Sequence, residues 1–327
     1  MKRYGLILGL MVALLPPVSC TNEVETIWSD DNAPILVLNA QIHQEDAHHT
    51  LFVYCSEKSH CDPLGGATVI CSVNSKPVAV EEQDKGAYVF ASKLAAGDII
   101  DFKVTWKTLS ATARAEVPEP VGEITGVTVT DVTIENDETS WQRRLESVAF
   151  KDRPDANDYY MLSIEDVYNR LDDDGNIIES ISTRVSIDAS DDKVLNPMGA
   201  EMTEFLDYDN DFNIFTDEMF ADASYTFKLY PNEWAVYSAE WVDFMGRFSD
   251  GDKYTIDRVY KVYSLTFDEF LYLKAITAQY NNIELMTEPV IFPENVTGGL
   301  GFVAAMSPVS RVVTRGPFEF DGNYYDY

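Results

Sequence analysis

From Pro34 onward the chain is punctuated into short β-branched and aromatic runs, and that punctuation limits what it can fold into. Ile35-Leu36-Val37-Leu38 and Leu51-Phe52-Val53-Tyr54 flank a polar turn at Gln44 to His49. Ala67 to Val73, Ala87 to Phe90 and Ile99 to Trp106 continue the series, with Gly65, Gly66, Gly86 and Gly97 at the breaks. Such residues suit a pleated, half-buried surface. They predict an immunoglobulin- or transthyretin-like β-sandwich over residues 34–118. Val117-Pro118-Glu119-Pro120-Val121-Gly122 closes that unit, because two prolines without N–H donors cannot sit in a central strand.

The pattern resumes over residues 122–316. Val127 to Ile134 alternates apolar residues with Thr and Asp, as a half-buried strand does. Tyr159 to Val167 and Ile177 to Ile187 predict a hairpin around Asp173-Asp174-Gly175-Asn176. Tyr225 to Tyr230 and Val259 to Leu265 are further strands. One helix is expected, from Phe267 to about Tyr280. Thr266 and Glu269 form a capping-box pair at its start, and Phe270, Leu273 and Ile276 supply an apolar face. The expectation is an all-β chain, its second domain a larger β-sandwich or barrel-like unit with one helix. Residues 317–327 form an acidic, tyrosine-rich tail, either loose or an edge strand.

The N-terminus carries an address. Lys2 and Arg3 precede an apolar run from Leu6 to Leu15, broken by Pro16 and Pro17 and ended by Val18-Ser19-Cys20. A charged start, an apolar stretch of about ten residues and a small residue before a cut site describe a secretory signal. The run is shorter than the roughly twenty residues that span a bilayer. With cysteine at the cut, residues 1–19 are expected to be a lipoprotein signal peptide and Cys20 the lipidated N-terminus. Pro17 departs from the aliphatic residue usual there, and plain secretion is the alternative. Residues 20–33 are polar and acidic and are expected to be a tether. Acids just behind the lipidated cysteine resemble surface-export signals of Bacteroidota lipoproteins, which implies an outer-membrane protein facing the exterior.

Charge and thiols narrow the classes further. The whole chain has a formal charge of −31. Such a field repels nucleic acid and anionic lipid surfaces, so nucleic-acid binding is excluded. Beyond Cys20 there are Cys55, Cys61 and Cys71. In an oxidising compartment an odd set suggests one disulfide and one free thiol, with Cys55–Cys61 the expected pair.

Three stretches together resemble the Bacteroidota outer-membrane lipoproteins grouped as domain of unknown function 4249 (DUF4249). They are Pro63-Leu64-Gly65-Gly66-Ala67-Thr68-Val69 with Gly86-Ala87-Tyr88, then Phe150-Lys151-Asp152-Arg153-Pro154 with Asn157-Asp158-Tyr159-Tyr160. The third is Glu288-Pro289-Val290 with Asn295-Val296-Thr297-Gly298-Gly299-Leu300-Gly301-Phe302. Phe215-Thr216-Asp217-Glu218-Met219-Phe220 is similar too. The resemblance implies a partner of a TonB-dependent outer-membrane transporter, with no established enzyme activity and no functional residues to carry over.

Other constellations point to chemistry more loosely. Thr297-Gly298-Gly299-Leu300-Gly301 lacks the lysine and the following helix of a phosphate loop, and reads as a tight turn or close backbone packing. Asp207, Asp209, Asp211, Asn213 and Glu218 stand at calcium-loop spacing, where alternate oxygen ligands converge on one Ca²⁺, although Phe212 replaces the turn glycine. No other cofactor is expected. His43, His48, His49 and His60 cluster near Cys55 and Cys61 without a standard zinc spacing. Trp234, Tyr237 and Trp241 suggest an aromatic platform for a sugar or a partner. No nucleophile elbow accompanies the histidines. The function expected is therefore a non-catalytic accessory or binding subunit in nutrient uptake, anchored through its lipid. A surface hydrolase of glycans or peptides, or a structural or adhesion lipoprotein, is the alternative.

Overall fold

The structure, a computed structural model, describes residues 33–57, 60–135, 140–153, 157–197, 210–220, 224–232, 239–280 and 291–320. In chain order the strands are β1 (Ile35–His43), β2 (His48–Glu57), β3 (His60–Pro63), β4 (Thr68–Val73), β5 (Lys76–Val78), β6 (Val80–Asp84), β7 (Ala87–Ala91), β8 (Ile99–Trp106) and β9 (Leu109–Glu116). The second half adds β10 (Glu123–Glu135), β11 (Ser140–Lys151), β12 (Tyr159–Leu171), β13 (Ile177–Val185), β14 (Ile187–Asp188), β15 (Ile214–Thr216) and β16 (Ser224–Pro231). Helix α1 (Ala239–Met245), β17 (Lys253–Leu265), helix α2 (Phe267–Tyr280), β18 (Val296–Thr297) and β19 (Val303–Glu319) follow. The chain is all-β, and among the described residues its sheets are open rather than closed into a barrel.

One sheet of ten strands runs through both halves in the order β13-β12-β17-β19-β1-β2-β7-β6, with β15 beside β12 and β3 beside β2. A five-stranded sheet, β18-β9-β8-β4-β5, packs on its first half, and a four-stranded one, β10-β11-β16-β14, on its second. Alternation decides which side chains enter the core. On β1, Leu36, Leu38, Ala40 and Ile42 are buried, while Val37, Asn39, Gln41 and His43 face the other way. The first core joins them to Leu51, Val53, Phe90, Ile100, Phe102 and Val104. The second centres on Phe150, Tyr160, Phe215, Phe227 and Tyr260.

The joint between halves is the parallel pairing of β1 with β19, Ala40 with Val303 through His43 with Met306. Farther on, β19 turns to pair antiparallel with β17 from Ser307 to Glu319. β18 meanwhile completes the five-stranded sheet through Val296 and Ala113. The first sandwich thus takes strands from both ends of the chain, beyond the expected span of 34–118. The proline linker is tied down as well. The Val121 amide donates to Ser264 Oγ at 2.9 Å, and the Ser307 hydroxyl donates to the Pro118 carbonyl at 2.7 Å.

The hairpin expected at 159–187 is β12 and β13, its turn held by the Asn176 amide donating to the Asp172 carboxylate at 2.7 Å. The expected helix is α2, and α1 is a second, shorter one. Residues 317–319 of the expected tail belong to β19, and 321–327 lie outside the described residues. Among the described residues no helix is long and apolar enough to cross a membrane. Residues 1–32, with Cys20, are outside them too.

Candidate ligand cleft

Helix α2 lies on the outer face of the long sheet, over β12, β17 and β19, beside the outer face of β1. Leu273 fixes it there, fully buried among Met161, Tyr263, Leu265 and Met306. Thr266 caps its start, its Oγ1 accepting the Glu269 amide at 3.2 Å. Between helix and sheet is a cavity of about 670 Å³. The outward-facing Asn39, Gln41 and His43 of β1 and His48, Thr50 and Phe52 of β2 form one wall. Glu269, Tyr272 and Ile276, one face of α2 by their spacing, form the other with Phe302. Tyr272 stacks on Phe302 with centroids 4.5 Å apart and planes at 11°, which fixes the back of the cleft by about 0.5–1.5 kcal/mol beyond area burial.

Two of the histidines that line the cleft are held in place. His49 Nε2 lies 3.0 Å from the Ser92 carbonyl, with its ring against Phe90 at 4.9 Å. His43 Nδ1 lies 3.4 Å from the Tyr263 hydroxyl, which donates to Glu45 at 2.7 Å. Lys261 closes this rim by donating to Glu45 and Glu165. Burial holds the His43 imidazole below its ordinary pKa, so it is neutral at pH 7 and able both to donate and to accept. Glu269 is 1 % exposed, and neither of its carboxyl oxygens has a hydrogen-bond partner. Only half of the expected capping box forms, since its carboxyl approaches the Thr266 amide without a well-formed bond. Burial pushes Glu269 well above the usual carboxylate range. Burial thus favours its neutral form over the carboxylate. A concave, mostly apolar space with a few convergent polar groups is how proteins hold small molecules.

The raised Glu269 pKa has a measurable consequence. The folded protein keeps a proton that the unfolded chain releases above about pH 4.5. The stability this brings is complete below that value and is lost as pH rises towards the folded pKa. Glu269→Gln should melt with wild type near pH 4.5 and progressively above it as pH rises, read by calorimetry at several pH values. A constant offset between the two would count against a buried neutral acid.

The structure places the residues singled out in the sequence differently from their spacing. His43, His48 and His49 reach the cleft, whereas His60 sits exposed on β3. No histidine or cysteine joins a ligand cluster among the described residues. The expected Cys55–Cys61 bridge is not formed, and all three thiols are free. The register pairs Ser56 with Cys61 and Cys55 with Asp62, so the two sulfurs point to opposite faces of the ribbon. Burial pushes the Cys71 thiol up to about 12, which leaves it inert.

Trp241 forms no exposed platform. It is buried with Phe244, Met245, Phe248, Tyr254 and Phe320, and Trp234 and Tyr237 lie outside the described residues. Of the calcium-loop residues, Asp207 and Asp209 are also outside them. Asp211 and Glu218 are exposed, and Asn213 is buried in a left-handed turn at φ 51°. The sequence marks Glu269 only as half of a capping box, and Tyr272 not at all. Their i, i+3 spacing with Ile276 one turn on was the available signal.

A family model described as a domain of unknown function (DUF4249) matches residues 21–311. No curated protein matches the chain.

Proposed function

The chain belongs to the DUF4249 family, and from that premise we propose that it is a non-catalytic ligand-binding lipoprotein serving a TonB-dependent nutrient transporter. Lipid on Cys20 anchors it to the outer membrane, facing the exterior, and residues 20–33 give it reach. The observation that carries the binding reading is the cleft under α2, where His43, Glu269 and the Tyr272–Phe302 stack converge. These groups recognise a small polar molecule with an apolar face. The signal-like N-terminus supports the location, and the strongly acidic surface supports solubility beside a membrane.

The test is capture of the native protein, tagged after Tyr327, from detergent-solubilised outer membranes, followed by mass spectrometry. A TonB-dependent transporter should be enriched in proportion to the bait. An eluate without one, or a mature chain that starts elsewhere than at a lipidated Cys20, overturns the proposal.

A further inference from the structure

Away from the cleft, two family-like stretches distant in sequence, 150–160 and 215–220, meet at one point. Asp152 follows the end of β11, Asp158 precedes β12, and Asp217 opens the turn after β15. One carboxylate oxygen from each lies within 4.8 Å of the others. All three are buried, at 6 %, 8 % and 1 % exposure. The Oδ2 atoms of Asp152 and Asp217 have no hydrogen-bond partner. A buried, unpartnered carboxylate costs several kcal/mol unless something positive meets it.

The surroundings leave that demand unmet. Asp152 Oδ1 accepts from the Tyr160 hydroxyl and, at 2.7 Å, from the Arg153 amide, so Oδ2 alone is open. Arg153 spends its guanidinium on Asp158, at 2.7 and 2.6 Å, from a half-exposed position. Three carboxylates against one guanidinium leave two negative charges, the complement of a dication. Burial and the neighbouring Asp152 and Asp158 push the Asp217 carboxyl up, as expected where charges of one sign are crowded together.

We propose that Asp152, Asp158 and Asp217 bind one divalent, oxygen-seeking cation of the Ca²⁺ type. Two oxygens bound to one Ca²⁺ at about 2.4 Å can be at most about 4.8 Å apart, and the three oxygens here lie within that limit of one another. An all-carboxylate set favours a hard cation over zinc, which prefers nitrogen and sulfur. Tyr160 orients Asp152 from behind, as outer-shell donors orient ligands elsewhere. The ion ties the four-stranded sheet, through β11, to β12 and β15 of the long one. Its role is to lock the end of the second sandwich, independently of the cleft.

The mature protein, stripped with chelator, is titrated with Ca²⁺, Mg²⁺ or Zn²⁺. Binding is followed by calorimetry, by melting temperature and by displacement of Tb³⁺ luminescence sensitised by Tyr160. The expected result is one Ca²⁺ per chain and a saturable rise in melting temperature. Asp217→Asn should weaken Ca²⁺ by more than about tenfold, while Glu218→Gln, one residue on and exposed, should leave it unchanged. No Ca²⁺ effect on wild type by any readout overturns the site, and so does a stronger response to Zn²⁺. Loss of binding in Glu218→Gln moves the ion to the 207–218 loop and also overturns it. Should Asp217→Asn fail to fold, the wild-type stoichiometry and the Glu218→Gln result still decide.

Discussion

Replacing Arg258 with leucine is expected to destabilise the protein by roughly 3–5 kcal/mol, because it strands two carboxylates between sheets. Arg258 stands on β17 and is 3 % exposed. Its Nε and Nη2 donate to both oxygens of Asp166, on β12, at 2.8 and 2.7 Å. Its Nη1 donates to Glu146, on β11 of the opposing sheet. The Tyr260 hydroxyl donates to Glu146 at 2.8 Å, and Arg315 of β19 reaches Asp166 at 3.4 Å. Without Arg258, Glu146 keeps only a phenol and Asp166 only a distant guanidinium. The same physics predicts that Glu146→Gln, Asp166→Asn and Arg258→Leu together recover most of the loss, since the buried charges then leave as a set. Guanidinium unfolding midpoints measure both. The exposed Arg114–Asp101 pair is the control, and breaking it should leave the midpoint unmoved. A cost for Arg258→Leu no greater than that control would mean the pair is not desolvated.

What was legible in the sequence was local. The apolar runs Ile35–Leu38 and Tyr159–Leu162 mark strands directly, although a run without alternation does not say which face each residue takes. The Asp-Asp-Gly-Asn turn and the Thr266 cap are chemical signals acting within a few residues. Register and long-range pairing were not legible. Nothing near Ala40 announces that Val303 will lie beside it, because a parallel pair is joined by whatever chain lies between. A one-residue difference in register puts Cys55 and Cys61 on opposite faces despite their short separation. The acidic residues mislead in the same way. Ligand spacing selects Glu218, but the short turn at Asp217–Met219 points Asp217 inward and leaves Glu218 in solvent. Aromatic spacing selects Trp241, but it faces the core because β17 and Phe320 close over it. Each error arises where tertiary packing chose between neighbouring residues that local pattern treats alike.

Gly301→Ala should cost roughly 3–5 kcal/mol, combining strain at an unfavourable backbone angle, overpacking and lost hydrogen bonds. Gly301 has φ +107°, and a Cβ there would lie 2.2 Å from the Leu38 carbonyl oxygen and 2.8 Å from Asn39 Oδ1. Neither neighbour can retreat. Leu38 donates its amide to the Leu300 carbonyl at 2.9 Å, Leu300 donates to Leu36 at 2.9 Å, and Ala40 donates to Phe302 at 3.1 Å. The Phe302 amide in turn donates to Asn39 Oδ1 at 3.2 Å. A methyl group would therefore separate β1 from the strand that joins the two halves. Phe302 would move with it, taking the wall on which Tyr272 stacks. Gly97→Ala separates the two causes, because Gly97 has φ +80° but no atom within 4 Å of the place its methyl would take. It should cost only the angular strain, about 1–2 kcal/mol. If chemical unfolding gives equal losses at the two glycines, the seam is looser than its hydrogen bonds imply, and the glycine-rich stretch serves a turn rather than the joining of the two sandwiches.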